Sequence, residues 1–165
     1  CEMMFFKKSK KEKNIFIHSP LKGEVIPLGS VPDPVFSQKM MGEGLAFIPT
    51  NGEVFSPVNG KVTQVFPTKH AIGMVTEDGL EMLLHLGLET VELKGKGFNI
   101  KINAGDIVSV NDHIGTFDLS YIEEKGKEII SVLVFPNFEE KISEMIPLKS
   151  DEVESGTEIA QLIFK

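Results

Sequence analysis

The chain has 165 residues, a length that suits one domain able to bury about 70% of its unfolded surface without help from a disulfide or metal. Its basic residues are all lysine, its formal net charge is −7, and its only cysteine is Cys1, which rules out an intramolecular bridge and fits a reducing, cytoplasmic setting. The acidic balance argues against nucleic acid, no apolar run is long enough to span a membrane, and the absence of arginine leaves any phosphate chemistry to lysine, histidine, hydroxyls or backbone N–H groups.

Residues 1–13 hold five lysines and two glutamates and read as a flexible, lysine-rich tail with at most weak affinity for an anionic membrane. Met3-Met4-Phe5-Phe6 is too short for a cleavable signal, and Cys1 reads as a trimmed end rather than a lipidation site. Residues 14–165 form the domain. There, turn residues punctuate short apolar runs at intervals of roughly ten residues, the mark of an all-β sandwich or barrel. The predicted strands are Asn14–Ile17, Gly23–Pro27, Leu45–Pro49, Gly52–Ser56, Gly60–Val65, Ala71–Val75, Glu81–Leu86, Asp106–Val108, His113–Asp118, Ile129–Val134 and Glu158–Phe164. One short helical turn is expected after Ser120, through Tyr121 to Lys125, and another after Asn137 as N-cap, through Phe138 to Ile142.

The chain also echoes itself. Ser19-Pro20-Leu21-Lys22-Gly23-Glu24-Val25 recurs as Ser56-Pro57-Val58-Asn59-Gly60-Lys61-Val62. More weakly, Val110-Asn111-Asp112-His113-Ile114-Gly115 recurs as Ser155-Gly156-Thr157-Glu158-Ile159-Ala160. Each copy is a turn leading into a strand. Two copies and no more imply an antiparallel β-sandwich with an internal pseudo-two-fold duplication, not a solenoid.

Two histidines carry the chemistry. In Glu81–Glu89, Met82, Leu84, Leu86 and Leu88 form one apolar face, and Leu83, His85, Gly87 and Glu89 point to the other. His85 is thus set at the surface beside a leucine and a glycine. His70 lies on what reads as a neighbouring strand, with Thr68 two residues before it on the same face. Neutral imidazole is a competent nucleophile near pH 7, and a hydrogen bond to its second nitrogen fixes the tautomer. Facing each other, one histidine could attack phosphorus while the other, supported by Thr68, donates to a phosphoryl oxygen. Without arginine or a carboxylate cluster for Mg²⁺, that chemistry would be a metal-free relay between proteins.

Zinc is the alternative for the same residues, but two histidines fall short of the three protein ligands a catalytic zinc requires. A third ligand would have to come from a partner. His18 and His113 sit in turn-like surroundings and read as structural or solvated. Gly42-Glu43-Gly44 lacks the lysine and helix of a phosphate-binding loop. Lys39-Met40-Met41 partly resembles the biotinylated hairpin of biotin carriers, but Gln38 stands where such carriers have a methionine. Pro34-Val35-Phe36 with Met40-Met41 reads more naturally as an exposed apolar docking loop.

Taken in order, Val31-Pro32-Asp33, Met41-Gly42-Glu43-Gly44, Ser56–Gly60, Thr68-Lys69-His70-Ala71, His85-Leu86-Gly87-Leu88-Glu89-Thr90-Val91 and Leu93–Phe98 resemble the glucose-type IIA proteins of the bacterial phosphoenolpyruvate:sugar phosphotransferase system. The resemblance runs from about Asn14 to Lys165. It implies an antiparallel β-sandwich and a cytoplasmic phosphocarrier, a phosphotransferase component working through a phosphohistidine and needing no cofactor. His85 matches the histidine that takes the phosphoryl group from the carrier HPr and passes it to a cysteine of a IIB domain. His70 matches the second active-site histidine and Thr68 the hydroxyl that orients it. Val35, Phe36, Met40, Met41, Phe66, Ile72, Leu83 and Val91 fall on the family's apolar docking surface, with Asp33 and Glu89 as rim acids. The chain departs from the family in having Leu86, Leu88 and Glu89 where His-Phe-Gly-Ile and an aspartate are common, which keeps the charge and lengthens its reach. Regulatory protein targets are a further implied class of partner, as in enteric relatives.

Overall fold

The structure, a computed structural model, describes residues 13–165. Its first half contains β1 (Asn14–His18), β2 (Gly23–Pro27), α1 (Pro34–Ser37), β3 (Glu43–Pro49), β4 (Glu53–Phe55), β5 (Gly60–Val65), β6 (Ala71–Val75) and β7 (Glu81–His85). The second half contains β8 (Phe98–Ile100), β9 (Ile107–Val108), β10 (His113–Phe117), α2 (Leu119–Glu124), β11 (Ser131–Phe135), α3 (Phe138–Lys141), β12 (Ile142–Pro147), β13 (Glu152–Val153) and β14 (Glu158–Phe164). Every paired strand is antiparallel. One eight-stranded sheet runs β13-β2-β3-β11-β7-β6-β5-β9, and two three-stranded sheets, β1-β14-β12 and β4-β10-β8, pack against it. No helix among the described residues is long and apolar enough to cross a membrane.

The period-two alternation of each strand divides the molecule into two apolar zones. On the inner face of the large sheet, Val25, Phe47, Val62, Met74, Met82, Leu84, Leu133 and Phe135 meet Ile17, Ile159 and Leu162 from one small sheet and Val54, Ile114 and Phe117 from the other. That is the sandwich core. On the outer face, Ala46, Val132 and Val134 are covered by Leu28, Val31 and Phe36 from the segment between β2 and β3, and by Leu88. Leu88 therefore departs from expectation. The strand ends at His85, and Gly87 at φ 77° turns the chain so that Leu88 joins the outer cluster instead of continuing the inner face.

The internal echo is a true pseudo-two-fold, written in backbone hydrogen bonds. His18 N–H donates to the Pro57 carbonyl at 3.0 Å, and its counterpart Phe55 donates to the Pro20 carbonyl at 2.9 Å. Ser19 N–H donates to Thr157 and Ser56 N–H to Asp112; in return Gly156 donates to Ser19 and Asn111 to Ser56. Each buried serine hydroxyl donates to the carbonyl two residues on, Ser19 to Leu21 at 2.6 Å and Ser56 to Val58 at 2.7 Å. The weaker echo belongs to the same axis. Asn111 and Gly156 both take left-handed φ, at 68° and 88°.

Gly23–Pro27, Gly60–Val65, Ala71–Val75 and Glu158–Phe164 match the predicted strands end to end, and the other predicted strands differ by a residue or two at their ends. Three strands and one helix were not expected. β8 and β13 are too short to show alternation, and β12 follows a charged helical turn and carries a bulge between Ile142 and Glu144 that breaks its period. α1 escaped because its apolar residues suggest a loop, although Asp33 before Pro34 is an N-cap signal: its carboxylate accepts from Val35 N–H at 3.0 Å. α2 starts after Asp118, not Ser120. Asn137 precedes α3, but its side chain accepts from Glu81 N–H and donates to the Gly79 carbonyl, fastening the β6–β7 turn instead of capping the helix. Lys13, placed at the end of the tail, belongs to the body: its carbonyl accepts from Phe164 N–H and its ammonium meets Asp78 at 3.0 Å. Residues 1–12, with Cys1 and the rest of the lysine-rich tail, lie outside the described residues.

Candidate functional site

The outer face of β6, β7 and β11 builds the site. Antiparallel register puts Ala71 and Val132 on either side of His85, and Gly73 and Val134 on either side of Leu83. His70 directly precedes β6, and its carbonyl accepts from Leu86 N–H at 2.7 Å, which ties the two histidine-bearing segments together. The rings meet edge to face, with centroids 4.9 Å apart and planes at 78°. Phe66 closes the His70 side at 5.5 Å and Phe36 the His85 side at 5.1 Å, again edge to face.

Each imidazole is held through Nδ1 by an uncharged group. His85 Nδ1 lies 2.7 Å from the Gly87 carbonyl. A carbonyl only accepts, so His85 carries its proton on Nδ1 and leaves the Nε2 lone pair bare. His70 Nδ1 lies 2.7 Å from Thr68 Oγ1. Thr68 is in the turn before β6 and not on the strand, and the left-handed Lys69 (φ 64°) swings it back under the ring.

Burial shapes the electrostatics. His70 is pushed down from 6.5 to about 4, chiefly by burial and then by the neighbouring His85. His85 is also lowered, by burial above all, against smaller upward pulls from the Gly87 hydrogen bond and the Asp33 carboxylate. Both rings are therefore neutral near pH 7, the nucleophilic form.

The remaining residues divide by position. His85, Thr68, Phe66 and Leu83 are half-buried, and His70 is 5% exposed. Val35, Met40, Met41 and Val91 are exposed apolar side chains, and Glu89 is exposed beside them in the chain. Phe36 is 5% exposed: it props His85 and fills the outer cluster, so it underlies the surface rather than forming it. Ile72 is a correction. Alternation turns it away from His85, opposite Leu84 in the inner core, and at 0% exposure it offers a partner nothing. Gly87, expected to point outward, is buried. Lys39 stands at a helix C-terminus, not a hairpin tip. At φ 61° it completes a Schellman motif in which Met40 N–H bonds to Val35 and Lys39 N–H to Phe36, and its ammonium meets Glu43 at 3.0 Å.

Three supports of the site were not read from the sequence: the Gly87 carbonyl, Thr90 and Ser131. A glycine just after a strand was the available signal for the first. Thr90, five residues after His85, carries no local pattern that marks it, and Ser131 is distant from both histidines in the chain. Elsewhere, His113 Nε2 meets Glu53 at 2.6 Å and His18 Nε2 lies 3.7 Å from Glu158. Among the described residues no group of three or more His, Cys, Asp or Glu side chains could hold a metal ion, so zinc on His70 and His85 would need a ligand from elsewhere.

Comparison with known proteins identifies the family. Residues 15–141 match the family described as phosphoenolpyruvate-dependent sugar phosphotransferase system, EIIA 1. The chain belongs to that family. It is 51% identical over 134 residues to the glucose-specific EIIA component of Staphylococcus epidermidis, covering 81% of each protein. To the component of the same name from Staphylococcus aureus it is 47% identical over 140 residues, 85% of this chain and 84% of that one. Among solved structures it is similar to glucose permease IIA from Mycoplasma capricolum, with a TM-score of 0.83 and 37% identity over 90% of this chain and 96% of that one. Membership makes the chain a component of a sugar phosphotransferase system with the β-sandwich fold of its structural relative.

Proposed function

We propose that the chain is a cytoplasmic phosphocarrier of the glucose branch, taking a phosphoryl group from HPr on His85 Nε2 and passing it to a cysteine of a IIB domain. The observation that carries this reading is the 2.7 Å contact of His85 Nδ1 with the Gly87 carbonyl, which leaves Nε2 unprotonated beside a second neutral imidazole. The glucose branch rests on the similarity to glucose-specific EIIA components and to a glucose permease IIA.

In the first step the Nε2 lone pair forms a bond to phosphorus as the bond from phosphorus to the donor breaks. Positive charge develops on the ring, and the Gly87 carbonyl stabilises it through Nδ1–H. With Thr68 donating to His70 Nδ1, His70 presents Nε2–H to a phosphoryl oxygen. In the second step the acceptor sulfur bonds phosphorus, the Nε2–P bond breaks, and His85 returns to its neutral Nδ1–H form. Val35, Met40, Met41 and Val91, with Phe66 and Leu83 nearer the rings, form the apolar ground against which either partner excludes water; Asp33 and Glu89 supply rim charge that attracts a basic partner. Interfaces of this kind are small and short-lived.

The test is phosphoryl uptake from phosphoenolpyruvate through enzyme I and HPr. The expected product is an acid-labile, base-stable phosphoryl group mapped to His85 and absent in His85→Ala. Uptake at another residue, or none with active partners, would refute the assignment.

A further inference from the structure

The loop that follows β7 holds the acceptor carbonyl in place through a set of contacts that use every peptide between His85 and Leu88. Leu86 N–H goes to the His70 carbonyl, and Leu88 N–H goes to the Glu128 carbonyl at 3.0 Å. Between them, the Leu86–Gly87 peptide is gripped at both ends by side-chain hydroxyls. Thr90 Oγ1 donates to the Leu86 carbonyl at 2.6 Å, and Gly87 N–H donates to Ser131 Oγ at 3.1 Å. Ser131 gives its own proton to the Ile129 carbonyl at 3.0 Å, so its lone pairs face Gly87. Both hydroxyl residues are 0% exposed.

Such burial is costly for a hydroxyl without a partner, and here two of them converge from different segments on one peptide. That peptide needs the help. Gly87 sits at φ 77°, and without a Cβ it has no side chain to limit its rotation. A Cβ there would stand 2.6 Å from Thr90 Cγ2 and 2.9 Å from the Glu128 carbonyl, so the same neighbours that enforce the turn also forbid another residue in it. The next carbonyl along is the one that accepts from His85 Nδ1.

We propose that Thr90 and Ser131 are positioning residues: together they clamp the Leu86–Gly87 peptide and so aim the Gly87 carbonyl that fixes His85 in its Nδ1–H tautomer. This deepens the reading of His85 as the acceptor and rests on it for its effect on rate. Freed at either end, the loop lets the carbonyl wander, the imidazole samples the Nε2–H tautomer, and a protonated Nε2 cannot attack phosphorus.

Two readouts test it in the full chain: the ¹⁵N–¹H correlation pattern of the His85 ring above its titration range, and the rate of phosphoryl uptake. Thr90→Val keeps the shape of the side chain and removes only the hydroxyl; Ser131→Ala removes the other; Thr90→Ser restores the first. In folded Thr90→Val and Ser131→Ala, the His85 pattern is expected to move from a single Nδ1–H tautomer toward a mixture, and uptake to fall about tenfold, the effect of losing one buried hydrogen bond. Thr90→Ser should match the unsubstituted protein, and the His70 pattern should not move. An unchanged His85 tautomer in both variants overturns the proposal, as does a loss of rate that Thr90→Ser shares. The tautomer is read without any phosphoryl donor, so a tautomer shift in a chain that never accepts phosphoryl would break the acceptor reading and leave the clamp standing.

Discussion

His113 and His85 look alike at first: each ends or starts a strand and each lies edge-on to a phenylalanine, Phe55 at 5.2 Å for one and Phe36 at 5.1 Å for the other. Their polar partners make them different molecules. His113 spends Nε2 on the Glu53 carboxylate, which occupies the nitrogen that could react. His85 spends Nδ1 on a carbonyl, which orients the ring and keeps Nε2 open, while burial holds the ring neutral. His70, on Thr68, follows the second pattern. What sets His85 and His70 apart from His113 is a neutral partner on Nδ1, together with burial that keeps both rings uncharged.

The sharpest test of that contrast is His70→Ala. If His70 serves by donating to the phosphoryl group, the variant should still load from HPr, and onward transfer to a IIB domain should fall by about a hundredfold or more, the usual scale for a lost proton-handling group. Thr68→Val, which removes only the hydroxyl on His70, should lower the same step by about tenfold. Onward transfer at the normal rate in either variant would dissolve the distinction between the two kinds of histidine, because His70 would then have the environment without the role.

A smaller effect should appear in stability. The unfolded chain takes a proton on His70 near pH 6.5, and the folded protein resists it until about pH 4. Unfolding therefore takes up a proton between these values, so His70 lets the folded state keep full stability above pH 6.5 and lowers it progressively as pH falls toward 4. Denaturant titrations across that window should show a slope for the unsubstituted protein that is shallower in His70→Gln. Equal slopes would mean that the ring is not held neutral by burial.

The smallest effect belongs to His113. Its pair with Glu53 is partly exposed, with side chains 31% and 51% accessible, and pairs of that kind contribute about 0–1 kcal/mol. His113→Ala should leave phosphoryl uptake unchanged and move the melting temperature only slightly. A loss of uptake would show that the contrast drawn from the partners alone is incomplete.

Much of this was legible in the chain. Alternation in Glu81–His85 placed His85 opposite the core-facing Met82 and Leu84, because side chains on a strand have no other choice. The repeated Ser-Pro-x-x-Gly turn foretold the pseudo-two-fold, because a buried serine bonding two residues ahead is a local device that each copy carries within itself. Ile72 shows where such reading fails. Its assignment to the surface came by resemblance, and the alternation of Ala71–Val75 against β7 sends it inward. α1 shows the opposite failure: Asp33-Pro34 carried a capping signal that the apolar residues behind it obscured.

Residue order by itself thus determined the strands with clear period, the corner turns and the pairing of two histidines with Thr68, since these depend on contacts a few residues apart or on which face a side chain must take. Only the tertiary structure decided how deeply His70 lies, which carbonyl selects the tautomer of His85, and that Thr90 and Ser131 converge on the peptide before that carbonyl. Those features depend on β6, β7 and β11 lying side by side and on a loop folding back at Gly87, and burial and hydrogen-bond partners exist only once segments distant in the chain have been packed together.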